Sequence, residues 1–161
     1  ELTAMNRKKG EFNDVEEGGE SIDFAIDSEA VARAESIVAS MSEEYLEWLR
    51  GDLDELDKTL SEARGSVRAV DQLRRKAHDI RGQGGSFGFP LISQVADALH
   101  KVIVSQDDIL SAEGETLARG LFEAFRLVVE RQARGDGDIE TREAVNLAVT
   151  SVKTAYGDTA C

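Results

Sequence analysis

The sequence predicts an all-α protein, an up-and-down four-helix bundle with an extra N-terminal and an extra C-terminal helix. Only one of the 161 residues is proline and 6% are aromatic, while Ala, Leu and Glu, which favour helices, are frequent. Apolar residues recur at alternating steps of three and four along much of the chain, which is the period of an amphipathic helix. No segment of useful length alternates between apolar and polar residues as a half-buried strand does.

The N-terminal residues 1–27 are acidic and contain glycines, so this segment is predicted to be flexible. Residues 28–157 are predicted to form a single helical-bundle domain, with its core at about residues 40–135. Asp27 or Ser28 can cap the extra N-terminal helix. The apolar positions of that helix are Val31, Ala34, Val38 and Met41.

The second predicted helix has the clearest apolar stripe in the sequence. Ser40 and Glu43 have the spacing of a capping box at its start, and Gly65 ends it. One face of this helix is apolar throughout and consists of Leu46, Leu49, Leu53, Leu56, Leu60 and Ala63. We interpret this face as core, and a seam between two copies of the chain is the alternative.

The third predicted helix begins at Ser66 and ends at Gly88, and Pro90 suits the first turn of the next helix. Its apolar stripe consists of Val67, Val70, Leu73, Ala77, Ile80, Gly84 and Phe87. The two helices that follow have stripes of Leu91, Val95, Leu99, Val102 and Ile103, and of Leu117, Leu121, Phe125 and Val128. Asp138 can cap a last helix, with Val145, Val149, Val152 and Tyr156. Amphipathic helices with short links pack antiparallel.

Charge is distributed unevenly along the chain. The net charge is −13, so neither nucleic acid nor an anionic membrane surface is expected as a partner. Between Arg64 and Arg81, however, six basic residues accompany two acidic ones, so this stretch carries +4 and the remainder −17. The one cysteine, Cys161, cannot form a disulfide within the chain. With no membrane-span or signal-peptide pattern, we expect a cytoplasmic protein without membrane insertion.

His78 stands out because its helical position places it away from the core. At about 100° per residue, the apolar stripe of its helix spans roughly 200° to 300° measured from Val67. His78 falls near 20°, about 130° from the centre of the stripe, so we expect it to face water. Gly84 falls on the packed side, where we expect it to let a neighbouring helix come close. The exposed side around His78 carries Arg74, Arg81, Gly82 and Gly85.

This exposed side favours phosphoryl chemistry. A glycine inside a helix costs about 1 kcal/mol relative to alanine, and Gly82 and Gly85 leave the imidazole open to another protein. Neutral imidazole is nucleophilic near pH 7, so His78 can take up a phosphoryl group and give it back. Arg81, one turn further on, can neutralise the phosphoryl oxygens. Gly82, Gly85 and Arg74 are predicted to serve partner docking.

Other candidate residues carry less weight. His100 lies off the apolar face of its helix and is interpreted as an ordinary surface residue. Asp97 and His100 form one carboxylate-x-x-His pair, whereas a di-iron bundle needs two such motifs with glutamates, so no metal site is predicted. Phe89 is either core or an exposed docking contact. Without a nucleotide-binding loop or a Ser or Cys nucleophile paired with a base, a stand-alone catalyst is not expected.

The residues around His78 resemble the histidine-phosphotransfer (HPt) domain family. The family pattern is Ala-His, then an apolar residue, a basic residue and a glycine two, three and four positions after the His, a small residue at seven and a glycine at ten. The matching residues here are Ala77, His78, Ile80, Arg81, Gly82, Gly85 and Gly88. The family often has an acidic residue where this chain has His100. The stretch from His78 to Leu91 looks most like the alphaproteobacterial stand-alone members.

The resemblance implies a four-helix bundle with an exposed, phosphorylatable His78. Such a domain accepts a phosphoryl group from a receiver-domain aspartate or from a sensor or hybrid histidine kinase and passes it to a receiver-domain aspartate. It holds no cofactor of its own, and Mg²⁺ is expected on the partner receiver domain. The alternative is an interaction-only bundle that binds and sequesters a kinase or response regulator without accepting phosphate.

Overall fold

The computed structural model describes the backbone of residues 2–157 and the side chains of residues 27–157. Over this part of the chain it has five helices and no strand, which confirms the all-α class. The helices are α1 (Leu2–Ala63), α2 (Val67–Ser86), α3 (Pro90–Val104), α4 (Ala112–Glu130) and α5 (Ile139–Tyr156). The chain divides into two compact units, Glu1–Met41 and Ser42–Cys161.

The core of the second unit is built from the predicted apolar stripes. All six predicted stripe residues of α1 are at most 3% exposed, and the stripes of α2 and α3 are buried from Val70 to Ile80 and from Leu91 to Ile103. Within this unit α2 packs on α3, α3 packs on α4, and α5 packs against both α3 and α4. The bundle and its extra C-terminal helix are therefore as the sequence predicts.

Helix ends within the second unit follow the predicted capping residues. The Ser66 hydroxyl accepts a hydrogen bond from the Ala69 amide at 3.2 Å, which caps α2. The Asp138 carboxylate accepts one from the Thr141 amide at 2.9 Å, which caps α5. Pro90 is the first residue of α3. Each cap satisfies an amide that the first turn of a helix leaves without a partner.

The N-terminal helices differ from the prediction. The sequence predicts a helix start at Asp27 or Ser28 and another at Ser40, but all three residues lie inside α1. Residues 27–50 contain no Gly or Pro, so nothing in this stretch breaks the helix, and the potential capping residues simply continue it. The predicted flexible segment, residues 1–27, lies outside the described side chains except for Asp27, and stays a prediction.

Candidate functional site

The crossing of α2 and α3 depends on Gly84. A Cβ atom on Gly84 would lie 2.7 Å from Ser93 Oγ, 2.9 Å from the Ser93 backbone nitrogen and 3.0 Å from the Phe89 carbonyl oxygen. Two of these three atoms belong to the backbone and cannot swing away, so no larger residue fits without moving a helix. The expectation that Gly84 lets a neighbouring helix come close is confirmed.

Ser93 joins α3 to the backbone of α2 at this crossing. Its hydroxyl donates a hydrogen bond to the Arg81 carbonyl oxygen and accepts one from the Gly85 amide, both at 2.9 Å. These two backbone groups are four residues apart and pair directly in a regular α-helix. A side chain that inserts between two such backbone groups interrupts the helical hydrogen bonding and is a recognised cause of helix bending. Ser93 thus holds α3 against α2 one turn beyond His78.

The two helices run antiparallel from this point, and successive turns bring defined pairs together. Gly85 faces Ser93, Arg81 pairs with Asp97, and the ring of His78 faces that of His100. The two imidazole centroids are 6.4 Å apart and their planes differ by 50°. The sequence analysis interprets His100 as an ordinary surface residue, and the structure adds that His78 is its neighbour. Its neighbours come from another helix, and the local pattern around His100 contains no information about them.

His78 itself is exposed, as its angle from the apolar stripe predicts, and the preceding Ala77 is buried. The surface beside it is bare. A Cβ atom on Gly82 would meet nothing within 4 Å, and one on Gly85 would meet only Ser93 Oγ, at an ordinary contact distance of 3.7 Å. Gly88 is at φ +89°, a backbone conformation that favours glycine, just after α2 ends.

Arg81 has an acidic partner in this structure. Its guanidinium lies 3.3 Å from an oxygen of Asp97, and Lys101 lies 3.7 Å from the other oxygen of the same carboxylate. The Arg81 and Asp97 side chains are 40% and 46% exposed. An ion pair this exposed contributes little to stability, so Arg81 can exchange it for another anion. Arg74 pairs in the same loose way with Asp71, at 3.4 Å.

The surroundings of His100 lower its pKa. Desolvation by burial is the largest cause that lowers the pKa of His100, and the nearby Arg81, His78 and Arg74 lower it further. Asp97 opposes them and raises it. Burial and the two guanidinium groups thus favour the neutral form of the His100 ring.

Phe89, which the sequence left open between core and docking contact, belongs to the core. It is fully buried, its ring centroid lies 6.2 Å from that of Tyr45, and the guanidinium carbon of Arg134 lies 5.7 Å from the ring centre. Phe87 stacks on Tyr45 at 4.6 Å. These rings anchor the turn between α2 and α3, and so support the crossing that positions the two histidines.

Comparison with known families identifies the bundle. The family model of the Hpt domain matches residues 40–144. The chain belongs to the Hpt domain family. The match begins in α1 and ends in α5, so it includes both helices that carry the histidine pair. Comparison with curated proteins and with solved structures finds no match.

Membership of the Hpt family gives the chain a role in two-component signalling by histidine phosphotransfer. Hpt domains are phosphotransfer carriers that interact with kinases and receiver domains. In the part of this Hpt chain that the structure describes, no helix is long and apolar enough to cross a membrane. Among the same residues, no cluster of three or more His, Cys, Asp or Glu side chains is arranged to hold a metal ion.

Proposed function

We propose that this Hpt domain carries a phosphoryl group on His78. The group arrives from a receiver-domain aspartate or from a histidine kinase and leaves to a receiver-domain aspartate. The observation that carries the proposal is the surface around His78. An exposed imidazole lies beside two glycines whose positions the fold leaves open, and two arginines lie on the same side of α2.

Transfer requires a nucleophile, positive charge and close approach. A lone pair on an imidazole nitrogen of His78 forms the N–P bond while the P–O bond of the donor aspartyl phosphate breaks, and the carboxylate leaves with the bonding electrons. The reverse sequence delivers the group to the next aspartate. Such reactions depend on positioning and charge neutralisation, and Mg²⁺ is supplied by the receiver domain, so this chain needs no cofactor of its own.

Arg81 is proposed to neutralise the phosphoryl oxygens. Its ion pair with Asp97 is exposed and weak, and a phosphoryl dianion one turn away competes for the guanidinium with two negative charges instead of one. Arg74 is proposed to steer acidic partner surfaces. Gly82 and Gly85 are proposed to let the backbone of the partner approach, because reacting atoms must come within about 3–3.5 Å.

The proposal is tested with a phosphorylated receiver domain as donor. We expect wild-type protein to gain label that is labile in acid and stable in base, and His78→Gln to gain none while its circular dichroism spectrum stays helical. His100→Gln is the matched control, since it removes the other histidine and leaves the nucleophile. Label on folded His78→Gln would refute the assignment to His78.

An interaction-only bundle is the second candidate, because an open, bare helix face suits docking whether or not phosphate moves. It predicts that the wild-type protein binds a receiver domain or kinase in a pull-down and never becomes labelled. The phosphotransfer proposal predicts label on His78 under the same conditions, so the one experiment separates the two functions.

A further inference from the structure

We propose that His100 is a second ligand of the phosphoryl group carried by His78, and that it takes up a proton from solvent when His78 is phosphorylated. The inference rests on the proposed function of His78 and assigns a task to a histidine that the family pattern does not include. No bond is made or broken at His100 except the N–H bond to the incoming proton.

The crossing of α2 and α3 brings His78 and His100 close together. The two imidazole centroids lie 6.4 Å apart, and the distance is held by the helix crossing. Gly84 leaves no room between the helices, and Ser93 hydrogen-bonds to the α2 backbone at two points. At this separation, the oxygens of a phosphoryl group on a nitrogen of His78 come within reach of an imidazole N–H of His100.

The charges around His100 give the direction of the proton movement. From α2, Arg74, Arg81 and His78 face it, and on α3 Asp97 precedes it by one turn. Lys101 follows it on α3 and pairs with Asp97 at 3.7 Å. From α5, Lys153 lines a groove together with Asp97 and Lys101.

In the unphosphorylated protein, burial and the cations of α2 lower the pKa of His100. Phosphorylation adds about two negative charges, which offset the positive charge of the cations around His100. The pKa of His100 then rises, and the ring becomes a cation that donates a charge-assisted hydrogen bond.

A histidine suits this position better than a permanent cation. A lysine or arginine there would repel Arg74 and Arg81 in the unphosphorylated protein. A histidine becomes positively charged only when the phosphoryl group is present and raises its pKa. Expulsion of imidazole from phosphohistidine draws electron density from the phosphoryl oxygens. A proton donor that binds those oxygens therefore slows the loss of the group to water.

The first test measures the titration of each histidine ring by NMR, which is practical because the chain contains only two histidines. Full-length protein labelled with ¹⁵N at histidine is phosphorylated by phosphoramidate and titrated by NMR. We expect a ³¹P signal for an N–P bond on His78 and an upward shift of the His100 titration midpoint relative to unphosphorylated protein. His78→Gln should show the same His100 midpoint before and after treatment with phosphoramidate.

The outcomes separate the two proposals. An N–P bond on His78 with an unchanged His100 midpoint overturns the role of His100 and leaves the proposed function intact. Absence of any N–P bond from wild-type protein, or a bond found on His100 instead, overturns the assignment to His78 and with it this inference.

The second test measures retention of the phosphoryl group. At pH 7 we expect phosphorylated wild type to lose its phosphoryl group about three to ten times more slowly than His100→Gln, the range of one partly exposed hydrogen bond to a charged group. Lys101→Gln, which removes a neighbouring cation on the same helix, should retain it like wild type. Equal half-lives for wild type and His100→Gln would overturn the proposal.

Discussion

Gly84 and Gly85 are adjacent in sequence and lie in opposite environments. Gly84 is buried, and a Cβ there would collide with the backbone of α3, whereas the same atom on Gly85 would make one ordinary contact. Both glycines disfavour helix formation to a similar extent. The packing of α2 on α3 explains the first, and no packing demand within the described residues explains the second. Since no contact within the described residues requires a glycine at position 85, we infer that it leaves room for another protein.

The largest expected effect on stability is at Gly84. Gly84→Val places a branched side chain against the Ser93 and Phe89 backbone atoms, and overpacking of this kind costs about 1–3 kcal/mol. Urea denaturation should show a correspondingly lower midpoint than for wild type. The matched variant Gly82→Val, at an open position of the same helix, should keep the wild-type midpoint or raise it slightly, because valine favours helix more than glycine does. Equal midpoints would mean that α2 and α3 are not closely packed at Gly84.

Arg81→Ala tests the exposed side of α2, which carries His78. A hydrogen bond from a charged group is worth about 1.5–3 kcal/mol when fully engaged, and the exposure of Arg81 reduces this to about 1 kcal/mol. We expect phosphotransfer from a receiver domain to slow about fivefold, with little change in thermal stability. An unchanged rate would show that Arg74 or the partner supplies the positive charge.

Ser93→Ala tests how the two sides of α2 are connected. The variant removes the hydrogen bonds of the Ser93 hydroxyl to the Gly85 amide and the Arg81 carbonyl, which costs about 1 kcal/mol in the free energy of unfolding. Part of this loss can be recovered if the Gly85 amide donates directly to the Arg81 carbonyl, as in a regular helix. We expect a small fall in unfolding midpoint and a weaker NMR contact between the rings of His78 and His100. Ser86→Ala is a control, because its hydroxyl bonds only within α2. An undiminished ring contact would show that Ser93 does not set the distance.

The smallest effect is on the pH dependence of stability. Because the pKa of folded His100 is lowered, the unfolded chain binds this proton first as the pH falls. The contribution of His100 is therefore complete above the unfolded pKa of about 6.5 and is lost as the pH falls through the folded value. Below pH 6.5, wild type should lose more of its free energy of unfolding than His100→Gln does. Parallel pH profiles would contradict the lowered pKa.

Local sequence patterns predict most of this fold and the exposure of His78, but they do not predict that His100 lies beside it. The apolar stripes, the Ser66 and Asp138 caps and the exposure of His78 follow from helical period and capping chemistry, which operate over one or two turns. The contacts of His100 and Ser93 could not be predicted, because they depend on the register between α2 and α3. The sequence marks Gly84 as a point of close approach, but it does not say which residue of α3 lies opposite. The predicted start at Ser40 failed because a helix can continue through a serine.

The Gly85→Leu variant tests the central claim, that the open side of α2 serves an encounter with another protein. Leucine favours helix more than glycine does, by up to about 1 kcal/mol, so the isolated domain should unfold at the same temperature or higher. Transfer from a phosphorylated receiver domain should fall sharply, because the side chain holds the two surfaces apart. Phosphorylation by the small donor phosphoramidate should change little. A variant that is destabilised, or that accepts phosphate from the receiver domain as fast as wild type, would show that Gly85 serves the fold and not the encounter.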